Sequence, residues 1–365
     1  VRRDWRERPN ESRERRREER EKARQERRDE REQRRDEVQD ERRDHAQDRR
    51  TEHLENRLKR LDEVQQQRRE RVEDDGQRTI IEEPDKRVII RDRGRVIIRH
   101  DETERFRRMR TVRDLRTERR ADGTTVTVYS RPDGAEIVSE VDSEGRLLRR
   151  ARRTREGREI VFIDNSRHYH HQHRRHRGAF LDVSVHLPAP IIRIPRHKYI
   201  VEYASASDDD IYEALSAPPI ERLDRAYSLE EVRSSYHLRE RMRRVDLDAI
   251  NFEFGSWDVA SDQYSKLERV AAAIRSVLSH NPDEVFLIEG HTDAVGSDVD
   301  NLSLSDRRAE SVAVILSETF GVPPENLTTQ GYGEQHLKLE TQGPERVNRR
   351  VAVRRITPLL APPAG

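Results

Sequence analysis

The apolar run Val285-Phe286-Leu287-Ile288, followed at once by Glu289-Gly290-His291-Thr292-Asp293, constrains the fold more than any other stretch of this chain. Four consecutive apolar residues closed by a glycine read as a buried strand, which sets Asp293 just past the strand's end. The same reading puts Arg307 and Arg308 in the first turn of a long amphipathic helix, Leu304–Phe320, closed by Gly321 and Pro323-Pro324. A strand-end acid facing a helix-start base suits a zwitterionic ligand. Asp293 accepts hydrogen bonds from an ammonium, Arg308 holds a carboxylate in a two-pronged fork, and N–H groups at the helix start favour the anionic end. Strands are expected at Ala249–Phe254, Leu327–Gln330 and Arg350–Ile356, with a helix at Asp262–Ser279 and a short one near Pro344–Asn348. Together they make a compact α/β sandwich with its own core.

Six separated pieces recur here in a fixed order: Gly290-His291-Thr292-Asp293, Gly296, Asn301, Leu304-Ser305 with Arg307-Arg308-Ala309, Gly331-Tyr332-Gly333-Glu334, and Asn348-Arg349-Arg350-Val351. This stretch closely resembles the OmpA-like peptidoglycan-binding domain shared by the C-terminal half of OmpA, the peptidoglycan-associated lipoproteins and the flagellar stator protein MotB. The resemblance covers roughly residues 245–357. It implies an α+β fold whose C-terminal part is a βαβαβ(α)β sandwich, with no cofactor. It also implies that peptidoglycan is held noncovalently through the meso-diaminopimelate of its stem peptide. Carried over by position, Asp293 and Arg308 are the primary binding pair, and Thr292, Asn301, Leu304 and Arg349 line the same pocket. A core-edge salt bridge is the competing role for Arg349. Arg307 faces about 100° away from Arg308 on a helix and is expected to pair at the surface with Asp306 or Glu310. Asp298 and Asp300 read as loop caps. The family's usual proline near Leu337, and an asparagine shortly after it, are absent.

The rest of the chain is organised differently. Charged residues make up 40% and hydrophobic ones only 32%, below the ~45–50% apolar share of globular domains, so much of the chain is not packed core. Residues 1–75 are rich in Arg, Glu, Asp and Gln, with opposite charges three and four apart. They read as a charged helix or a disordered tract, with a brief coiled-coil seam at Leu58, Leu61 and Val64. Residues 78–165 carry a hairpin around Gly94, a basic helical patch over Thr103–Arg119, and four acid–glycine turns spaced eleven, eleven and twelve apart. That spacing predicts a β-meander, with one solvated, arginine-rich face. Residues 166–246 are a linker, in which Leu181–Tyr203 reads as one or two edge strands and Ser228/Glu231 have capping-box spacing. Residues 247–357 form the sandwich and 358–365 a tail.

Several function classes fall away. With 74 basic and 73 acidic side chains the net charge is +1, and no aromatic platforms lie among the arginines, so nucleic acid is not an expected partner. Cysteine is absent, and no nucleophile–base order, phosphate-cradling loop or zinc-spaced set appears, so no catalysis is expected. His168, His170, His171, His173 and His176 lie among arginines and read as a solvated basic linker, not a metal site. No apolar run is long enough to span a membrane as a helix. The implied ligand sets the chain in a Gram-negative envelope, on the periplasmic face of the outer membrane. Residues 1–20 are nearly all charged, so a signal peptide is expected to be missing from this chain. Two functional readings remain: a tether between the cell wall and the outer membrane or an envelope assembly, and a periplasmic spacer or scaffold contacting envelope proteins through residues 1–245.

Overall fold

The computed structural model describes residues 61–360, apart from 74–76, 93, 144, 166–184, 186 and 254. Most of the charged tract, including its seam position Leu58, and the histidine cluster lie outside the described residues. Residues 61–67 are helical. The tract does not continue as helix to residue 75, because β1 (Arg69–Glu73) is a strand. It pairs antiparallel with β2 (Arg78–Glu82), which leads into β3 (Val88–Asp92) and β4 (Arg95–Arg99), the hairpin around Gly94. A ladder to the β-branched Thr79-Ile80-Ile81 outweighs the helix preference of Arg and Glu. One face of this sheet packs Ile81, Ile89 and Ile98 against Val299 and Leu302.

The helix expected over 103–119 is split. Helix α1 (Thr103–Arg108) ends early, and β5 (Arg113–Arg119) is a strand. Phe106 and Met109 pack under Tyr129 and Ile137, so the apolar positions that suggested one helix instead serve a turn of helix and a sheet. Then β6 (Thr125–Ser130), β7 (Glu136–Val141), β8 (Leu147–Arg153) and β9 (Glu159–Asp164) complete a five-stranded antiparallel meander. Its four turn glycines have φ between +80° and +88°, a region costly for any residue with a Cβ. The outer face is not a free cationic surface. Arg116 pairs with Glu136 at 4.0 Å, Arg120 with Glu140 at 3.5 Å and Arg149 with Glu159 at 2.5 Å, while Arg153 bridges Glu136 and Glu159.

The third sheet has the order β10-β11-β14-β12-β13. Its members are β10 (Ile200–Glu202), β11 (Arg244–Asp246), β12 (Phe286–Gly290), β13 (Leu327–Gly331) and β14 (Val351–Arg355). Around it lie α2 (Asp208–Ser216), α3 (Leu229–Ser234), α4 (Glu268–His280) and α5 (Asp298–Glu318). The capping box expected at Ser228/Glu231 is present, and a second one at Ser207/Asp210 starts α2. The proline-punctuated stretch before Tyr203 contributes one short edge strand, β10.

The strand expected at Ala249–Phe254 is absent; β11 lies earlier instead. Ile250 and Phe252 are buried but not laddered. The Gln263 side chain takes the ladder's place: its Oε1 accepts from Asn251 N–H at 2.8 Å, and its Nε2 donates to Asn251 O at 3.0 Å.

Strand β12 explains its own composition. Phe286 and Ile288 join the core with α2, α4 and α5, while Val285 and Leu287 face Leu229, Leu238, Met242 and the meander's Phe162 and Ile163. A strand covered on both faces needs no polar alternation. The core reaches back past residue 247 to Val201, Ile211 and Leu215.

Candidate functional site

Helix α5 begins at Asp298, capped by Ser297, whose Oγ accepts from Asp300 N–H at 3.1 Å. This is six residues before the expected start at Leu304. Arg308 is therefore the eleventh helical residue, some ~15 Å along the axis from the first turn. The helix N-terminus cannot supply donors beside Arg308, and that expectation is withdrawn. Glycine, not the helix end, brings the arginine to the strand. Gly290 and Gly331 are paired in register on β12 and β13, and a Cβ on either would overlap the backbone of Ser305 or Asp306. The middle of α5 thus lies directly on the strand ends, next to Thr292 and Asp293.

Both Asp293 and Arg308 are buried, at 3% and 1% exposure. Arg308 Nε donates to Ser256 O at 2.9 Å and Nη2 to Glu253 O at 3.3 Å, with its guanidinium 4.8 Å from the Phe252 ring. Its Nη1 has no hydrogen-bond partner. Burial, and then the like charge of Arg349, lower its pKa from the ordinary arginine value, and Asp293 opposes them in part. The position therefore disfavours the very charge it carries, which is an electrostatic demand for an anion.

Asp293 is already engaged. Arg349 Nη1 donates to its Oδ2 at 2.6 Å, and Glu345 N–H donates to the same oxygen at 3.3 Å. The buried Thr292 hydroxyl has no partner, while its N–H donates to Gly333 O at 3.0 Å. Asn301 Nδ2 donates to Glu334 Oε2 at 2.7 Å, and Leu304 is buried. The structure thus pairs Asp293 with Arg349 and sets Arg308 close enough to feel both charges, in one buried cluster. Sequence reading missed Glu345 and the carbonyls of Glu253 and Ser256. A backbone carbonyl leaves no residue-type signal, so only the fold shows these.

Arg307 departs from expectation. It makes no pair with Asp306 or Glu310; Nη2 donates to Glu83 at 2.8 Å and Nη1 to Asp85 at 2.6 Å. Asp306 and Glu310 are held instead by Arg87, and Asp306 also by His100 at 3.0 Å. Asp298 and Asp300 pair with Arg91 and Arg68. Among the described residues no group of three or more His, Cys, Asp or Glu is placed to hold a metal, and no helix is long and apolar enough to cross a membrane.

The fold is a mixed α/β domain that carries a small cluster of buried charges. The chain belongs to the OmpA family, whose description matches residues 251–350. The putative lipoprotein YfiB of Escherichia coli K12 is 34% identical over 114 residues, covering 30% of this chain and 68% of that protein. Outer membrane porin F of Pseudomonas aeruginosa is 34% identical over 110 residues, 30% of this chain and 30% of the porin. The peptidoglycan-associated lipoprotein of Buchnera aphidicola is 35% identical over 86 residues, 24% of this chain and 47% of the lipoprotein. All three are named as outer-membrane proteins or lipoproteins. This chain spans less than a third of the length of porin F.

Proposed function

We propose that this chain binds peptidoglycan noncovalently, without catalysis, and tethers the cell wall to the outer membrane or an envelope assembly. The diaminopimelate of the stem peptide is the group recognised. The observation that carries this reading is the idle Nη1 of a buried Arg308; the Thr292 hydroxyl, one residue before Asp293, is also buried without a partner. A ligand carboxylate seated there takes both donors and relieves the positive charge shared by Arg308 and Arg349. The ligand ammonium then replaces Arg349 at Asp293. Arg349 can leave, because its side chain is already 26% exposed. The relative named as peptidoglycan-associated supports the same ligand.

The test is cosedimentation with purified sacculi. Arg308→Lys keeps a charge but loses the idle Nη1 donor, and Asp293→Asn removes the charge that pairs with the ammonium. Each is expected to weaken binding by ~2–5 kcal/mol, enough to clear a weak binder from the pellet. Lysine-type wall, which lacks the second carboxylate, should bind much worse than diaminopimelate-type wall. Unchanged sedimentation of both variants, or equal binding of the two wall types, would refute the assignment.

A further inference from the structure

The structure also holds a cavity whose lining is distinct from the charged cluster. A cavity of about 690 Å³ opens between the β3–β4 hairpin, α3 with the turn after it, and the loop from Gly331 to His336. Its size falls within the roughly 300–1,000 Å³ of small-molecule sites. Residues before 165 build one wall, so this space exists only because the β1–β4 sheet lies on the OmpA-like domain.

The lining has a recognisable chemistry. Tyr236 and His336 stack with ring centroids 4.2 Å apart and planes 22° from parallel, so each covers one face of the other and the aromatic platform they form offers the cavity the outer surface of the stack. Burial lowers the pKa of His336 to about 3, so the platform is uncharged. Val96 and Ile98 form an apolar side. Polar groups stand around it: Glu230, Gln335, and Arg233, whose Nε has no hydrogen-bond partner. Gln335 Nε2 donates to Val96 O at 2.7 Å, and its amide oxygen remains an acceptor. A neutral ring face with carboxylate, amide and guanidinium at its rim matches a pyranose ring, whose C–H face packs on aromatic carbon while its hydroxyl and acetamido groups need donors and acceptors.

The cavity is also joined to the charged cluster. Gly333, which lines it, accepts the Thr292 N–H at 3.0 Å, and Glu334, another lining residue, accepts from Asn301 at 2.7 Å. Each lining residue is thus one hydrogen bond from a residue of the stem-peptide site. A stem peptide is covalently attached to an N-acetylated sugar, so a ligand held at Arg308 carries a glycan within the same molecule. We infer that this cavity is a glycan subsite, which takes the N-acetylated disaccharide of the strand bearing the bound stem. The inference rests on the peptidoglycan reading above and extends it to the sugar.

Isothermal titration of the full chain separates the two readings. Three probes are needed: the diaminopimelate-containing tripeptide, the N-acetylated disaccharide carrying that tripeptide, and the disaccharide alone. The disaccharide–tripeptide should bind roughly tenfold more tightly than the tripeptide. Tyr236→Ala removes the platform, and Ser234→Trp fills the cavity from an exposed lining position. Both variants should bring the disaccharide–tripeptide down to tripeptide affinity, and retained tripeptide binding shows that they are folded. Equal affinities of the two peptide probes for the unmodified chain, or a gain that survives both substitutions, would overturn the glycan subsite and leave the stem-peptide site standing. If the tripeptide does not bind at all, the stem-peptide reading fails. In that case saturable, Tyr236-dependent binding of the disaccharide alone still supports the cavity, and no binding of it overturns the cavity as well.

Discussion

Arg307 and Arg308 are consecutive residues of one helix, yet they lie in regions built on opposite terms. On the Arg307 side, residues 61–165 press charged groups into α5 and pair them with opposite charges. Arg87 is only 2% exposed and touches Asp85, Asp306 and Glu310, while Glu83 is shared by Arg68, Ser303 and Arg307. Nearby, buried Glu102 accepts from Arg150 and Arg233 and from Thr329 N–H. On the Arg308 side a buried guanidinium keeps a donor idle. A network in which carboxylates face guanidinium groups holds one arrangement, whereas a buried guanidinium held only by backbone carbonyls still lacks a counter-charge. The first region fixes α5, and the second uses it.

The most severe way to break this comparison is Arg87→Ala. It removes the guanidinium that bridges buried Asp306 and Glu310, with His100 still beside Asp306, and breaking such a buried pair costs up to ~3–5 kcal/mol. Urea unfolding should show that loss, together with weaker retention on sacculi because α5 loses its brace. A change below ~1 kcal/mol would mean that the network behaves as a surface one.

A gentler probe is acid, which separates histidines from carboxylates. Burial, and then Arg350, push the His291 pKa well below its usual value, and burial lowers His336 to about 3. The unfolded chain, with histidine near ~6.5, takes up protons first. Stability from these neutral rings is therefore complete above about pH 6.5 and falls as pH drops toward about 3. Burial alone would raise Asp306, Glu102 and Glu289, but their cationic neighbours hold them low, so their loss begins only near the ordinary carboxylate range. The urea midpoint should therefore decline between roughly pH 6.5 and 4.5, and His336→Asn should flatten that decline. A level midpoint across this window would show that the rings are solvated.

The smallest effect is expected on the meander's outer face. Arg149→Ala breaks a 2.5 Å pair with Glu159 that is partly open to water. The loss should stay within ~0–1 kcal/mol and vanish in high salt. A larger, salt-insensitive loss would mean that the face is covered in solution.

Legibility followed local signals. Acid–glycine turns announce the meander because positive φ selects glycine, and β12 is visible because burial on both faces leaves an unbroken apolar run. Signals that two structures share were misleading. Phe106, Met109, Val112 and Leu115 have helical spacing, yet the chain changes from helix to strand between Arg108 and Arg113. The start of α5 was placed late because its first turn is polar, with Asp298 and Asp300 reaching arginines more than two hundred residues earlier. Of the candidate residues, Asp293 and Arg349 pair, and Arg308 lies close enough to feel both charges. The partners of Arg307 were not legible, since any acid three or four residues away looks as suitable as Glu83 and Asp85.

The glycine pair at positions 290 and 331 has a consequence for drift and redesign. Neither residue has a side chain, yet together they set the gap between the strand that ends three residues before Asp293 and the helix that bears Arg308. On the proposed reading, that gap acts as a ruler for the spacing of the ammonium and carboxylate groups. A single methyl at either position would lift α5 and lengthen the ruler, so selectivity can be retuned from beneath the helix with every recognising side chain still in place.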